Sequence, residues 1–176
     1  ETDVLKANQQ IHRWMTEGMP VKIREDSGEE TTKLLWLIDF ENIENNDWLA
    51  VNQYSVQLDA DAGTRRPDIV LFLNGIPISV LELKNPSDLD TDIWQAFEQL
   101  QTYKAQISRL FYYNSVLMIA DGADARMGSL TADQERFLKW RSVDGEARDP
   151  YGTFGHTQTL IEGLFNKRHV LDMIQY

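Results

Sequence analysis

Arg66-Pro67-Asp68-Ile69-Val70-Leu71-Phe72-Leu73-Asn74-Gly75-Ile76-Pro77-Ile78-Ser79-Val80-Leu81-Glu82-Leu83-Lys84-Asn85 is the stretch that decides the fold. Two runs, Ile69 to Leu73 and Ile78 to Lys84, are apolar on both faces and flank an Asn-Gly pair. That pattern predicts a hairpin at the centre of a sheet covered on both sides. Because side chains alternate along a strand, Glu82 and Lys84 share a face with Ile78 and Val80, and Leu83 points away. A regular two-residue turn pairs Leu73 with Ile76 and sets Asp68 opposite Leu81, on the wrong face for Glu82. The two acids meet only if one residue is added. Pro77 cannot donate to the ladder, so the irregularity is expected between Asn74 and Pro77.

If they meet, the chemistry is specific. Two carboxylates hold a hard divalent cation through oxygen, and a neighbouring ammonium orients or deprotonates a water beside it. This is the minimal equipment for metal-assisted hydrolysis of a phosphodiester. A plain alternative stands level with it on these three residues: Lys84 compensates one buried acid in a structural ion pair. On the next predicted helix, Gln99 and Tyr103 are spaced i, i+4 and can reach back to the hairpin end or to a phosphate. A polar pair at the rim of a packed helix face explains them equally well.

Working outward, Asp3 to Glu17 has helical spacing with Gly18 as its stop, and Ile93 to Ser108 carries a packed face of Ile93, Phe97, Leu100, Lys104 and Ile107. Strands are expected over 34–40, 48–56 and 116–120. Residues 59–66 form a polar connection, and 87–92 lead into the helix. Asn85-Pro86 ends the second hairpin strand, and Asp121-Gly122 and Asp144-Gly145 are turns. Residues 123–130 continue the sheet or edge it, 133–140 fit helix or strand, and 157–174 read as one helix. The order describes an α/β domain: a mixed central β-sheet flanked by helices. Residues 1–176 are expected to form a single domain, a fragment of a larger chain.

Composition narrows the rest. Hydrophobic residues make up 42%, with five Trp, six Tyr and seven Phe, enough for a packed core. There is no Cys, which excludes disulfides and thiolate metal sites and suits a cytoplasmic location. His12, His156 and His169 lack metal-ligand spacing and are expected at the surface or in caps. The longest uncharged stretch, 69–81, is too short to span a bilayer, so no membrane is expected among the partners. The formal charge of −11 is unlike a domain that grips DNA unaided, although Arg65 and Arg66 stand immediately before the first acid and Lys104 and Arg109 follow on the next helix.

The quoted stretch resembles the nuclease core of the restriction (motor) subunit of type I restriction-modification enzymes, within the PD-(D/E)xK superfamily. So do Leu37 to Trp48, Val51 to Val56, Gln99 to Tyr103, Ile119 to Ala123 and Gly128 to Thr131. The resemblance implies a restriction-endonuclease-like fold and an Mg2+-dependent DNA endonuclease. In it, Asp68 and Glu82 match the metal-binding acids and Lys84 the catalytic lysine; beside that match, the Leu83 carbonyl is expected as a further metal ligand. Gln99 and Tyr103 match a Q-x-x-x-Y motif that places the DNA or supports the site. It further implies double-stranded DNA as substrate and specificity and methylation subunits as partners. Cutting there follows ATP-driven translocation. No G-x-x-x-x-G-K-[ST] occurs here, so ATP belongs to downstream motor domains and no cofactor-binding motif is expected in this fragment, which alone is expected to be inactive. Related nucleases often add an N-terminal acid, and Glu17 is a candidate without further support. The alternatives are a stand-alone repair or junction nuclease of the same superfamily and a non-catalytic docking module of a translocase.

Overall fold

The computed structural model describes residues 3–58, 63–85, 92–146 and 155–176. The first helix, α1 (Val4–Glu17), is capped by Asp3, whose carboxylate accepts from the Leu5 amide, and buries Ile11 and Met15. Gly18 ends it at φ 86°, a conformation that costs glycine little. The chain then forms an antiparallel hairpin of β1 (Met19–Arg24) and β2 (Glu30–Leu35). After β3 (Trp48–Asn52) come the short pair β4 (Val56–Gln57) and β5 (Thr64–Arg65), then β6 (Ile69–Leu73) and β7 (Ile76–Leu83). Helix α2 (Ile93–Gln106) crosses to β8 (Val116–Ala120), which turns into β9 (Ala125–Gly128). Helices α3 (Gly155–Leu164) and α4 (Lys167–Gln175) follow.

Five strands form the central sheet in the order β3-β6-β7-β8-β9. β7 and β8 run parallel, joined by the α2 crossover, and the other neighbours are antiparallel. The expected α/β fold with a mixed sheet between helices is therefore what forms. Val70 and Val80 pack with Phe97, Leu100 and Tyr103 of α2 on one face. On the other, Leu81 and Met118 pack with Leu160 and Leu164 of α3, while Leu73 and Ile78 meet α1 and α4. All five residues of β8 are buried, as its unbroken apolar sequence requires.

The hairpin turn is the two-residue form, with Asn74 at φ 51° and Gly75 at φ 79° and Leu73 paired with Ile76. The predicted extra residue exists, but it lies just past the place expected. Phe72 pairs with Pro77 and Leu71 with Ser79, so Ile78 is the bulged residue. Its carbonyl accepts from the Ser115 amide at 2.8 Å, so the unpaired position is not left without a partner. The bulge also sends Ile78 to the α1 and α4 side, away from Val80 and Glu82, which corrects the expectation that it shares their face.

Other elements depart from the sequence reading for local reasons. The strand expected over 34–40 ends at Leu35. Beyond it, the Asp39 amide donates to Asn46 Oδ1 and Asn46 Nδ2 donates to the Asp39 carbonyl, so side-chain amides replace a ladder. No strand was expected at 19–24. The strand expected over 48–56 breaks at Gln53, which has φ 53°. The 157–174 helix is two helices, because Asn166 caps α4 by accepting from the Arg168 amide. Residues 133–140 resolve into a 3-10 turn at Gln134–Arg136 and a single bridge from Leu138 to Met127. Residues 59–62 and 87–91, parts of the expected connection and lead-in, and Pro86 lie outside the described residues.

Candidate active site

The shifted register carries Asp68 to Glu82's side. Ile69 pairs with Leu81, so the next position along β6 stands across from Glu82, on the face shared by Val70 and Val80. Asp68 Oδ2 accepts from the Leu83 amide at 2.8 Å, a bond that spans the mouth of the hairpin. Lys84 Nζ lies 3.2 Å from Glu82 Oε1. The three charged groups singled out in the sequence thus converge at one end of the sheet.

Their electrostatics are unequal. Glu82 is only 5% exposed, and its second oxygen, Oε2, is buried without a hydrogen-bond partner among the described residues. Burial, reinforced by the nearby Asp68 charge and opposed by Lys84 and, more weakly, by the Asp68 backbone amide, pushes its carboxyl up to about 7. An ion pair with Lys84 satisfies one oxygen and leaves the other, at a desolvation cost of about 1–3 kcal/mol. The simple ion-pair account therefore leaves a buried oxygen unexplained. The donor set consists of carboxylate oxygens, with the Leu83 carbonyl adjacent, and this fits a hard divalent cation. Among the described residues no three His, Cys, Asp or Glu side chains gather as a metal site.

Tyr103, 5% exposed, donates its hydroxyl to the Arg66 carbonyl at 3.3 Å, two residues before Asp68. Its phenol, hydrogen-bonded to Gln99, is pushed up to about 12 by burial and by the charges of Glu82 and Asp68, and it stays protonated as a donor. The i, i+4 pair is thus assembled at the site, with Tyr103 bracing the approach to Asp68. Gln99 and Lys84 also line a cleft of about 410 Å³ along α2, with Asp92, Trp94, Gln95, Glu98 and Thr102. The Asp92 carboxylate caps α2 there, accepting from the Trp94 and Gln95 amides.

Of the nearby basic residues, Lys104 is committed elsewhere. Its Nζ donates to the Leu130 carbonyl at 2.7 Å and to Gln101 Oε1 at 3.1 Å, and burial lowers its pKa. Arg65 is held by Gln106, whereas Arg66 is exposed. The histidines lie on other elements: His12 in α1, His156 in the first turn of α3, and His169 in α4, where it contacts the Gly163 carbonyl. One residue at the site was not anticipated. Gln53 donates its side-chain amide to Asp68 Oδ1 at 2.9 Å, and its backbone amide donates to the Asp68 carbonyl at 2.7 Å. Glutamine is not a residue that favours a left-handed backbone, so composition carried no signal of the turn that places it.

The mixed sheet thus carries paired acids and a lysine at the end of its central hairpin, and comparison with known proteins gives the family. The model of the family described as "Type I restriction enzyme R protein N terminus" matches residues 1–136, and the chain belongs to that family. The type I restriction enzyme HindI endonuclease subunit of Haemophilus influenzae is 40% identical over 175 residues, covering 99% of this chain and 16% of that protein. The putative type I restriction enzyme MjaIXP endonuclease subunit of Methanocaldococcus jannaschii is 33% identical over 181 residues, covering 94% of this chain and 17% of that protein. The type I restriction enzyme EcoprrI endonuclease subunit of Escherichia coli is 26% identical over 145 residues, covering 75% and 44%. The chain therefore spans about a sixth of the length of the first two relatives.

Proposed function

We propose that this chain is an Mg2+-dependent endonuclease domain that hydrolyses phosphodiester bonds of double-stranded DNA. In this reading it works inside a larger restriction complex whose motor domains translocate DNA with ATP and whose other subunits recognise and methylate it. The observation that carries the proposal is the buried, unpartnered Oε2 of Glu82 beside Asp68 and Lys84. A cation there gives that oxygen a partner and keeps both acids ionised at neutral pH.

Asp68 and Glu82, with the Leu83 carbonyl, hold Mg2+ in this scheme. When bound, the ion supplies a water of lowered pKa and neutralises charge on the scissile phosphate. Glu82 releases its proton at neutral pH to become a ligand. Lys84, half-buried and tied to Glu82, positions or activates the attacking water and stabilises negative charge on the phosphate. Tyr103 holds the Arg66 carbonyl and so the start of β6. Gln99 lies where the cleft meets Lys84, within reach of a DNA backbone.

The test uses the full-length subunit assembled with its partners. Asp68→Ala, Glu82→Ala and Lys84→Ala should each reduce DNA cleavage by at least about 10²-fold while ATP-driven translocation continues. Near-normal cutting by the Lys84 variant removes that residue from the mechanism.

One observation favours a second reading, a docking module without catalysis. The chain is strongly acidic, and Leu34, Leu35 and Trp36 are exposed together at the end of β2. Titration of the chain with Mn2+ separates the readings, since a docking module has no need of binding that depends on Asp68 and Glu82.

A further inference from the structure

We propose that Gln53 is a positioning residue for Asp68, fixing its carboxylate so that it faces Glu82 ready for a divalent cation. The proposal rests on the cation-site reading above. Asp68 is only half-buried, and a carboxylate at a strand end is free to turn unless donors hold both oxygens. Here they come from two different strands' ends. The Leu83 amide takes Oδ2 at 2.8 Å, and the Gln53 side-chain amide takes Oδ1 at 2.9 Å. Each oxygen keeps a further lone pair, because an ionised carboxylate offers about four acceptor sites. The group is therefore oriented without being neutralised.

Gln53 grips the same residue twice. Its backbone amide extends the β3–β6 ladder one step, to the Asp68 carbonyl at 2.7 Å, and at that step the chain leaves the sheet. The departure needs φ 53°, a left-handed conformation that is unfavourable for a residue with a Cβ. Among the described residues the other non-glycine example is Asn74, which the hairpin turn explains. Gln53 lies outside any tight hairpin turn. What the conformation achieves is to bring the side chain back across the ladder onto Asp68. The following residue, Tyr54, is anchored edge-on against Phe72 of β6, with ring centroids 5.4 Å apart, so the segment is pinned on both sides of the bend. Strain held by surrounding contacts in this way gathers at functional sites.

The chemistry of the side chain matters as much as its place. A lysine or arginine here would pair with Asp68 and cancel the charge that attracts a cation. A neutral amide donates one hydrogen bond and leaves the charge in place, which is how residues behind metal ligands orient them.

The experiment is calorimetric titration of Mn2+ into the chain and into Gln53→Gly, Gln53→Leu and Asp68→Ala, with melting curves of the metal-free proteins. Wild type should bind Mn2+ in an Asp68-dependent manner. Both Gln53 variants should bind about 10- to 100-fold more weakly. Gln53→Gly, relieved of the left-handed penalty, should melt no lower than wild type. If Gln53→Gly does melt lower, Gln53→Leu decides, because it keeps the bulk and the backbone cost and lacks only the amide. Wild-type affinity in Gln53→Leu overturns the positioning role and leaves the cation site standing. Absence of Asp68-dependent Mn2+ binding in the wild-type chain overturns the cation site and the positioning role together.

Discussion

Two hairpins in this chain, β6–β7 and β1–β2, solve opposite problems. The first is covered on both sides: Val70, Leu73, Ile78 and Val80 are buried among helices. The second leaves Leu34 54% exposed, with Trp36 beyond it 59% exposed, and carries Lys22, Arg24, Glu30 and Lys33 along its length. A covered hairpin tolerates charge only at its mouth, where the cost of desolvation is met by partners; an exposed one tolerates it anywhere. Charges at the mouth of β6–β7 are therefore informative, and charges on β1–β2 are not.

The sharpest way to break this contrast is to remove one residue from each hairpin. Deleting Ile78 erases the bulge, turns Asp68 away from Glu82 and removes a buried side chain. It should cost more than about 4 kcal/mol in urea unfolding and abolish any Mn2+ binding. Deleting Asp26 from the exposed β1–β2 turn should cost less than about 1 kcal/mol and leave Mn2+ binding unchanged.

A smaller effect comes from charge alone. Glu82 has a folded value of about 7 against an ordinary 4.5, so it favours the fold fully when neutral, below pH 4.5. That contribution is lost as pH rises through about 7, up to roughly 3 kcal/mol in all. The metal-free Glu82→Gln protein should therefore be more stable than wild type at pH 8, with a flatter stability profile between pH 4.5 and 7, while binding Mn2+ weakly. The matching exchange on the other hairpin, Glu30→Gln, should change stability by less than about 0.5 kcal/mol at either pH. Smallest of all, Leu34→Ser and Trp36→Ser should each stay within about 0.5 kcal/mol of wild type by thermal melting and leave any Mn2+ isotherm unaltered.

The same contrast explains what was legible in the sequence. Periodicity reports burial, so β6, β7, β8 and α2 were readable, and Asp68, Glu82, Lys84, Gln99 and Tyr103 could be singled out from their places on those elements. The need for one extra residue in the hairpin followed from counting alternation against a two-residue turn. Its position did not, because the turn kept its ideal Asn-Gly form and the bulge moved to Ile78, where Ser115 could satisfy the carbonyl. β1 escaped notice because Met19 to Arg24 is mostly exposed and alternates weakly. Gln53 and Asn166 act through backbone geometry and local hydrogen bonds, which hydrophobic pattern does not encode. Lys104 was placed on the packed face of α2 by its spacing, but its partner, the Leu130 carbonyl, is distant in sequence and could not be named from it.

The bulge at Ile78 has one more consequence. Whether the two acids face each other is decided at the far end of β7, four residues from Glu82, on the order of 13 Å along the strand. A homologue that kept every charged side chain but lost one residue near its Pro77 would possess the signature and lack the centre. On the proposed reading, competence is therefore written partly as spacing, and losing one residue inside the hairpin would disable the centre as surely as mutating an acid.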